Sequence, residues 1–265
     1  MEFAAALRER RVRVRLSQLE LASRAGTSQR HVSFLESGRS VPGREMVVRL
    51  AESLRLPLRD RNSLLVSAGF APVYSETSIE AADLAPTRAA LMHILRGYTP
   101  YPAAILDRAG TLLAANSAFD AFVEGADEQL LAHPANLYRL ALHPCGLAPR
   151  IRNFPQWSRH VVENLHQAHL RDPDERLAAL SAELSAYIPE SAGSSPLGFA
   201  VPLDIASAHG DLRLMTTIST FATAVDVTVS ELKLEAFLPV DEQSAESLRR
   251  AVGRRSDECS RWYGK

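Results

Sequence analysis

The sequence predicts a multi-domain chain. An all-α domain of five helices, built on a helix-turn-helix, occupies residues 1–70; a linker follows over 71–84; an α+β domain with an antiparallel sheet and helices fills 85–255. Three observations carry this. Apolar residues recur at helical spacing through the first quarter of the chain, and the period shifts to short strand-like runs after Pro100. Charge is also divided: residues 1–70 hold 13 Arg, no Lys and 7 acids, a balance of +6, so a whole-chain charge of −1 leaves −7 for the remainder. A basic head on an acidic body suits a DNA-binding domain joined to one that does not touch DNA, although a solvated helical surface would also be arginine-rich.

At 265 residues and 46% hydrophobic content, the chain can build two ordinary cores. No apolar run approaches membrane-spanning length and no basic-then-apolar leader follows Met1, so a soluble cytoplasmic protein with no membrane partner is expected. Cys145 and Cys259 are too few for a disulfide framework and fit a reducing compartment.

The first helix runs from Phe3 to about Arg15, with Phe3, Leu7 and Val14 inward and Arg8, Arg10, Arg13 and Arg15 outward. Ser17 and Glu20 then form an S-x-x-E capping box, which starts a second helix at Gln18. Leu21, Ala22 and Ala25 share its inner face. Gly26 supplies the left-handed stop, and Thr27 or Ser28 caps a third helix reaching about Ser37. In that helix Val32 and Leu35 point inward, leaving Gln29, Arg30, Ser33 and Phe34 outward. Such a face suits the major groove: Gln pairs with adenine, Arg with guanine, and an aromatic ring rests on a thymine methyl. Gln18, at a helix N-terminus, is placed for a phosphate. Arg39 and Arg44, flanking Pro42-Gly43, are further phosphate candidates, and Thr27 and Ser28 complete the DNA-contacting set. An ordinary two-helix corner would carry some of these features but not all at these offsets.

The stretch resembles the phage-repressor or XRE-type helix-turn-helix, whose pattern here is Arg11, SQxxLAxxAG from Ser17, then Ser28, Val32, Ser33, Glu36, Gly38 and Pro42. The resemblance implies a pair between Arg11 and Glu36, base reading by Gln29, Arg30 and Phe34, and phosphate holding by Gln18. Phe34 is a departure, since that family often has a polar residue there. The implied partner is double-stranded DNA, bound by a homodimer.

Met46, Val47, Leu50, Ala51 and Leu54 keep helical spacing, and a fifth helix follows Pro57 with Leu58, Leu64, Leu65 and Ala68 buried. After the Gly69–Thr77 break, a helix is expected over Ala85–Arg96. Ala103–Asp107 and Thr111–Ala115 read as a β-hairpin around Arg108-Ala109-Gly110. Asn116 caps a helix with Phe119, Phe122 and Val123, and Asn136 opens one with Leu137, Leu140 and Leu142. Pro155 starts a helix striped by Trp157, Val161 and Leu165; Asp172-Pro173 starts another through Leu177, Leu180 and Leu184. A loop over Ser191–Pro196 precedes strands at Phe199–Ile205, Leu212–Thr220 and Glu231–Leu238, the last placing Leu232, Leu234, Ala236 and Leu238 on one face. A helix over Ala245–Val252 is followed by a charged tail. Two early and three late strands then form one sheet with helices across one face.

The runs PAAILDRAGTLLAAN (102–116), NLYRLALHPCGL (136–147) and PLDIASAHGDLRLMTTISTFATAVDVTVSELKLEAFLP (202–239) resemble the MmyB-like ligand-binding domain. This resemblance implies a PAS-like fold and a one-component transcription regulator sensing a small apolar effector, with fatty acids the leading class. A ligand-free dimerisation or protein-interaction module is the rival reading.

No nucleophile elbow, phosphate loop, dinucleotide fingerprint or H-E-x-x-H pair occurs, so no catalytic residue and no enzyme activity are expected. His133, His143, Cys145, His160, His166 and His169 lack paired zinc-ligand spacing, so neither metal nor resident cofactor is expected. Ligand-binding candidates are Asn116, Asn136 and Arg139 as polar groups in apolar contexts, with Phe119, Phe122, Leu140, Trp157 and Val161 as lining. The lining residues are more readily plain core. Arg139 could grip a carboxylate with two parallel bonds, or equally form a salt bridge with Asp120 or Glu124.

Overall fold

A computed structural model describes residues 2–190, 200–221, 223–253 and 261–263. The chain divides into two compact units, Met1–Thr77 with Ala222–Ser230, and Ser78–Phe221 with Glu231–Lys265.

The first unit contains the five expected helices: α1 (Phe3–Arg13), α2 (Gln18–Arg24), α3 (Gln29–Glu36), α4 (Arg44–Ser53) and α5 (Leu58–Ser67). Local chemistry sets their ends. The Ser17 hydroxyl accepts the Glu20 N–H at 3.1 Å while the Glu20 carboxylate accepts the Ser17 N–H at 2.7 Å, completing the capping box. Gly26 has φ +62°, which a side chain would disfavour. Ser28 rather than Thr27 caps α3, accepting the His31 N–H at 3.1 Å. Phe3, Leu7, Leu21, Val32, Leu35, Leu50 and Leu64 meet in one core.

Two expectations for α1 are corrected. Val14 is 40% exposed because the helix ends at Arg13, and Arg10 takes the inward place one turn after Leu7. Its guanidinium is buried but supported by Asp60 and Ser63, each at 3.1 Å. Beyond α5 the first unit continues to Thr77, held by the Asn62 amide, which donates to Tyr74 O at 2.7 Å. A distant piece joins it: in α12 (Val227–Ser230) Val227 is fully buried and donates its N–H to Ser75 O at 2.8 Å.

The second unit begins with a 3-10 turn at Ala82–Leu84 and α6 (Ala85–Gly97). There follow β1 (Ala103–Leu106), β2 (Leu112–Ala115), α7 (Ser117–Phe122), α8 (Glu128–Leu131), α9 (Leu137–Leu142), α10 (Phe154–Arg171) and α11 (Glu175–Ser185). The unit is completed by β3 (Leu203–Ile205), β4 (Leu212–Thr220), β5 (Lys233–Pro239), α13 (Glu242–Val252) and β6 (Arg261–Trp262). The six strands form one antiparallel sheet in the order β3-β4-β5-β1-β2-β6.

Both faces of this sheet are covered, which corrects the expected single helical layer. Ala103, Ile105, Leu234 and Ala236 pack with Leu91 and Leu95 of α6. Ala104, Leu106, Leu214 and Phe237 face the larger core under α7, α9, α10, α11 and α13. The expected charged tail supplies an edge strand instead: Trp262 pairs with Ala114, and its indole N–H donates to Glu80 at 2.8 Å. The strand expected from Phe199 is limited to Leu203–Ile205, since Pro202 has no N–H for the ladder; Phe199 and the Ser191–Pro196 loop lie outside the described residues. Asp174 rather than Asp172 caps α11. No described helix is long and apolar enough to cross a membrane.

Candidate functional site

The surface that the sequence reading assigns to DNA is α3. Val32 and Leu35 are fully buried behind it, while Gln29 and Arg30 are exposed in front. Phe34 is half-buried, and the Arg30 guanidinium lies 5.2 Å from its ring centroid, a cation–π contact that holds the two side chains together. Ser33 is partly exposed beside them. The implied ion pair is present: Arg11 Nε donates to Glu36 Oε1 at 2.6 Å and Nη2 to Oε2 at 2.8 Å. Burial pushes the Glu36 carboxyl up, but hydrogen bonds from Arg11 and Gln18 outweigh it, so its pKa lies below the ordinary range.

Gln18 is less free than expected. Its amide donates to Glu36 Oε2 at 2.9 Å, leaving one of two amide hydrogens for a phosphate. Ser28 is engaged as the cap, and the Thr27 hydroxyl lies 3.0 Å from His31 Nδ1. Arg39 and Arg44 are exposed, with no side-chain partner among the described residues, as a pair of phosphate contacts requires.

In the second unit, a cavity of about 380 Å³ lies between α10 and the β4–β5 part of the sheet. One face of α10 forms its wall: Trp157, Val161, Leu165 and Ala168 at helical spacing, with His160, Asn164 and Arg171 beside them. Met215, Thr216 and Ile218 of β4 and Val201 add further lining. Tyr138 from α9 and Lys233 and Glu235 from β5 make a polar end.

Three elements place that end. Successive odd positions of β5 point to one side, so Lys233 and Glu235 share the face of buried Phe237. Asn136 caps α9 by accepting the N–H groups of Tyr138 and Arg139, both at 3.1 Å, and its amide donates to Ala109 O at 2.9 Å. Gly110, at φ +85°, turns the β1–β2 hairpin against the Tyr138 ring, where a Cβ would collide. The phenol thereby reaches Glu235, donating at 3.4 Å.

Glu235 is only 5% exposed. Burial pushes its pKa up to about 7, with the Lys233 charge and the Tyr138 hydrogen bond opposing. Burial and the Glu235 charge raise Tyr138 well above its ordinary value, so it remains a donor. Burial lowers both Lys233 and His160. Lys233 Nζ makes one long contact, 3.5 Å to Arg108 O. Arg108 itself is occupied by Asp172 at 2.9 Å, Asp174 at 3.4 Å and Glu231 at 3.7 Å.

Of the eight ligand candidates, the structure brings Trp157 and Val161 to this cavity. Asn116 is a buried cap, donating to Leu95 O and Tyr101 O and accepting from Ala103 N and Phe119 N. Phe119 and Leu140 fill the core, and Phe122 stacks on Phe237 at 4.8 Å between centroids. Asn136 is the cap behind Tyr138. Arg139 makes the fork expected of it, but to Glu183, with two bonds of 2.7 Å on the surface, rather than to Asp120 or Glu124. Among the described residues no three His, Cys, Asp or Glu side chains converge as a metal site.

A helix-turn-helix on a five-helix head, followed by a sheet unit with a partly open cavity, fits a helix-turn-helix transcription regulator with a ligand-binding domain. Residues 7–60 match the helix-turn-helix family model, and residues 87–251, more than half of the chain, match that of the MmyB-like transcription regulator ligand binding domain. The chain belongs to this MmyB-like family, behind an XRE-type helix-turn-helix. No curated protein matches it.

Proposed function

We propose that the protein is a one-component, cytoplasmic regulator: a homodimer binds a roughly two-fold operator, and a small, fatty-acid-like effector in the 380 Å³ cavity modulates that binding. The observation that carries the effector reading is the cavity itself, with one apolar wall from α10 and a few converging polar groups opposite, the usual design of a small-molecule site. Effector binding changes the packing of two chains and so the distance between two recognition helices, which must lie about 34 Å or a multiple apart. An effector that binds both arrangements equally shifts nothing, so the test must read operator affinity with and without it.

Native mass spectrometry of freshly purified protein, followed by organic extraction, should show two chains and a bound acyl-chain compound. For the DNA side, Arg30→Ala should lose about 1 to 3 kcal/mol on the best operator and relax preference at one base position. Titration against single-base operator variants checks this, and equal loss on every sequence would remove Arg30 from base reading.

A further inference from the structure

β4 is 9 residues long, but β3 pairs only with Leu212, Arg213 and Leu214 at its start. Alternate residues of an antiparallel strand turn their N–H and C=O groups to opposite sides. Val240, just past β5, donates to Arg213 O, so Arg213, Met215, Thr217 and Ser219 face β5, and Leu212, Leu214, Thr216, Ile218 and Thr220 face the other way. β3 takes up Leu212 and Leu214 through Ile205 and Leu203. Among the described residues, the backbone groups of Thr216, Ile218 and Thr220 have no partner on that side. Ile218 is 56% exposed, with Ser219 and Thr220 exposed beside it. Proteins normally blunt such an edge with a charge, a proline or a bulge, because it is a template for another strand. Here no charged residue and no proline occurs from Leu214 to Val225, and the β4–β5 register runs without a bulge. The β-branched residues Thr216, Thr217, Ile218 and Thr220 keep the edge extended.

We infer that this edge is where two copies of the chain join, β4 pairing antiparallel with β4 of a second copy about a two-fold axis at Ile218. The inference rests on the homodimer reading and names its surface. Self-complementarity selects a second copy over another partner. With Ile218 opposite its own copy, Thr216 meets Thr220 and Thr220 meets Thr216, so all three edge residues exchange both backbone bonds with the residue opposite. The same register sets an exposed apolar side chain against itself, with a threonine against a threonine on either side. These are favourable cross-strand pairs, and no like charges are opposed. Thr216 and Ile218 also line the cavity, so the joined edges run beside the effector site, and an effector there lies against the surface whose packing it is proposed to alter.

The test uses the axis. Residue 218 faces itself across it, so Ile218→Lys and Ile218→Glu each oppose like charges on chains about 5.5 Å apart, while an equimolar mixture of the two opposes unlike ones. Sedimentation equilibrium of the full-length protein should show the dimer dissociation constant raised at least about tenfold for either variant alone, and restored to within about threefold of the unaltered chain in the mixture. Recovery on mixing separates pairing from damage to the fold. Hydrogen exchange of the unaltered protein needs no substitution: the amides of Thr216, Ile218 and Thr220 should exchange slowly above the measured dissociation constant and quickly below it. A dimer that neither charge weakens, a mixture that stays dissociated, or amides that exchange alike in dimer and monomer, as an occupant from the same chain would make them, overturns the edge assignment while leaving the homodimer. An unaltered chain that sediments as a monomer at every concentration overturns both.

Discussion

Glu36 is 3% exposed at its side chain, and three donor bonds from Arg11 and Gln18 are what keep it ionised there. Removing one half of such a pair strands the other, which costs more than the pair itself contributes. The direction of the Glu36 pKa fixes how this depends on pH. Burial raises it and the hydrogen bonds lower it further, so the folded value lies below the unfolded one. Its contribution is therefore complete above the ordinary glutamate value of about 4.5 and is lost as pH falls through the folded pKa. Thermal unfolding of the protein and of Glu36→Gln should differ most near neutral pH, with the unaltered chain more stable, and the two should converge below about pH 4.5. A gap that persists in acid would mean that the Glu36 charge is not what the pair uses.

At the scale of elements, the cavity's polar end depends on a hairpin turn rather than on the helix that bears Tyr138. Gly110 at φ +85° lies against the Tyr138 ring, and Asn136 ties the start of α9 to Ala109. Gly110→Ala imposes both a strained backbone and a collision with that ring. At an unstrained site a glycine replacement gains about 0.4 to 1 kcal/mol, but at a positive φ the loss exceeds that gain, so a loss of about 2 kcal/mol or more is expected in urea unfolding. Tyr138→Phe should cost less, because the ring stays and only its 3.4 Å bond goes. Equal costs would show that the turn does not position the ring. The same elements explain what could be read from the chain beforehand. The capping box, Gly26 and the Val32–Leu35 spacing act over a few residues, so the helix-turn-helix was legible. Alternation in β5 was legible too, but it set Leu232, Leu234 and Ala236 against one face and left Lys233 and Glu235 to the other. Only a sheet covered on both sides makes that second face interior, and Phe237 beside Glu235 was the available sign. Arg10 and β6 escaped for a related reason: their partners, Asp60 and Ala114, lie 50 and about 150 residues away.

For the whole molecule, a net charge of −1 conceals a head of +6 and a remainder of −7. Phosphates attract the first and repel the second, so affinity must rest on a countable number of contacts from the head rather than on overall charge. The salt dependence counts them. Each phosphate neutralised on B-DNA contributes a slope of about −0.9 in log K against log salt. Arg39, exposed and without a side-chain partner among the described residues, is our proposed phosphate contact, one per chain. If two chains occupy one operator, Arg39→Ala removes two contacts and should flatten the slope by about 1.8, whereas a single chain would give about 0.9. Fluorescence anisotropy titrations on an operator selected from random DNA, over roughly 50 to 300 mM salt, resolve this difference. Arg30→Ala serves as the internal standard, since a base contact should weaken binding while leaving the slope nearly unchanged. A flattening near 0.9 removes the dimer from the proposed mechanism, and with it the idea that an effector acts by resetting the distance between two recognition helices.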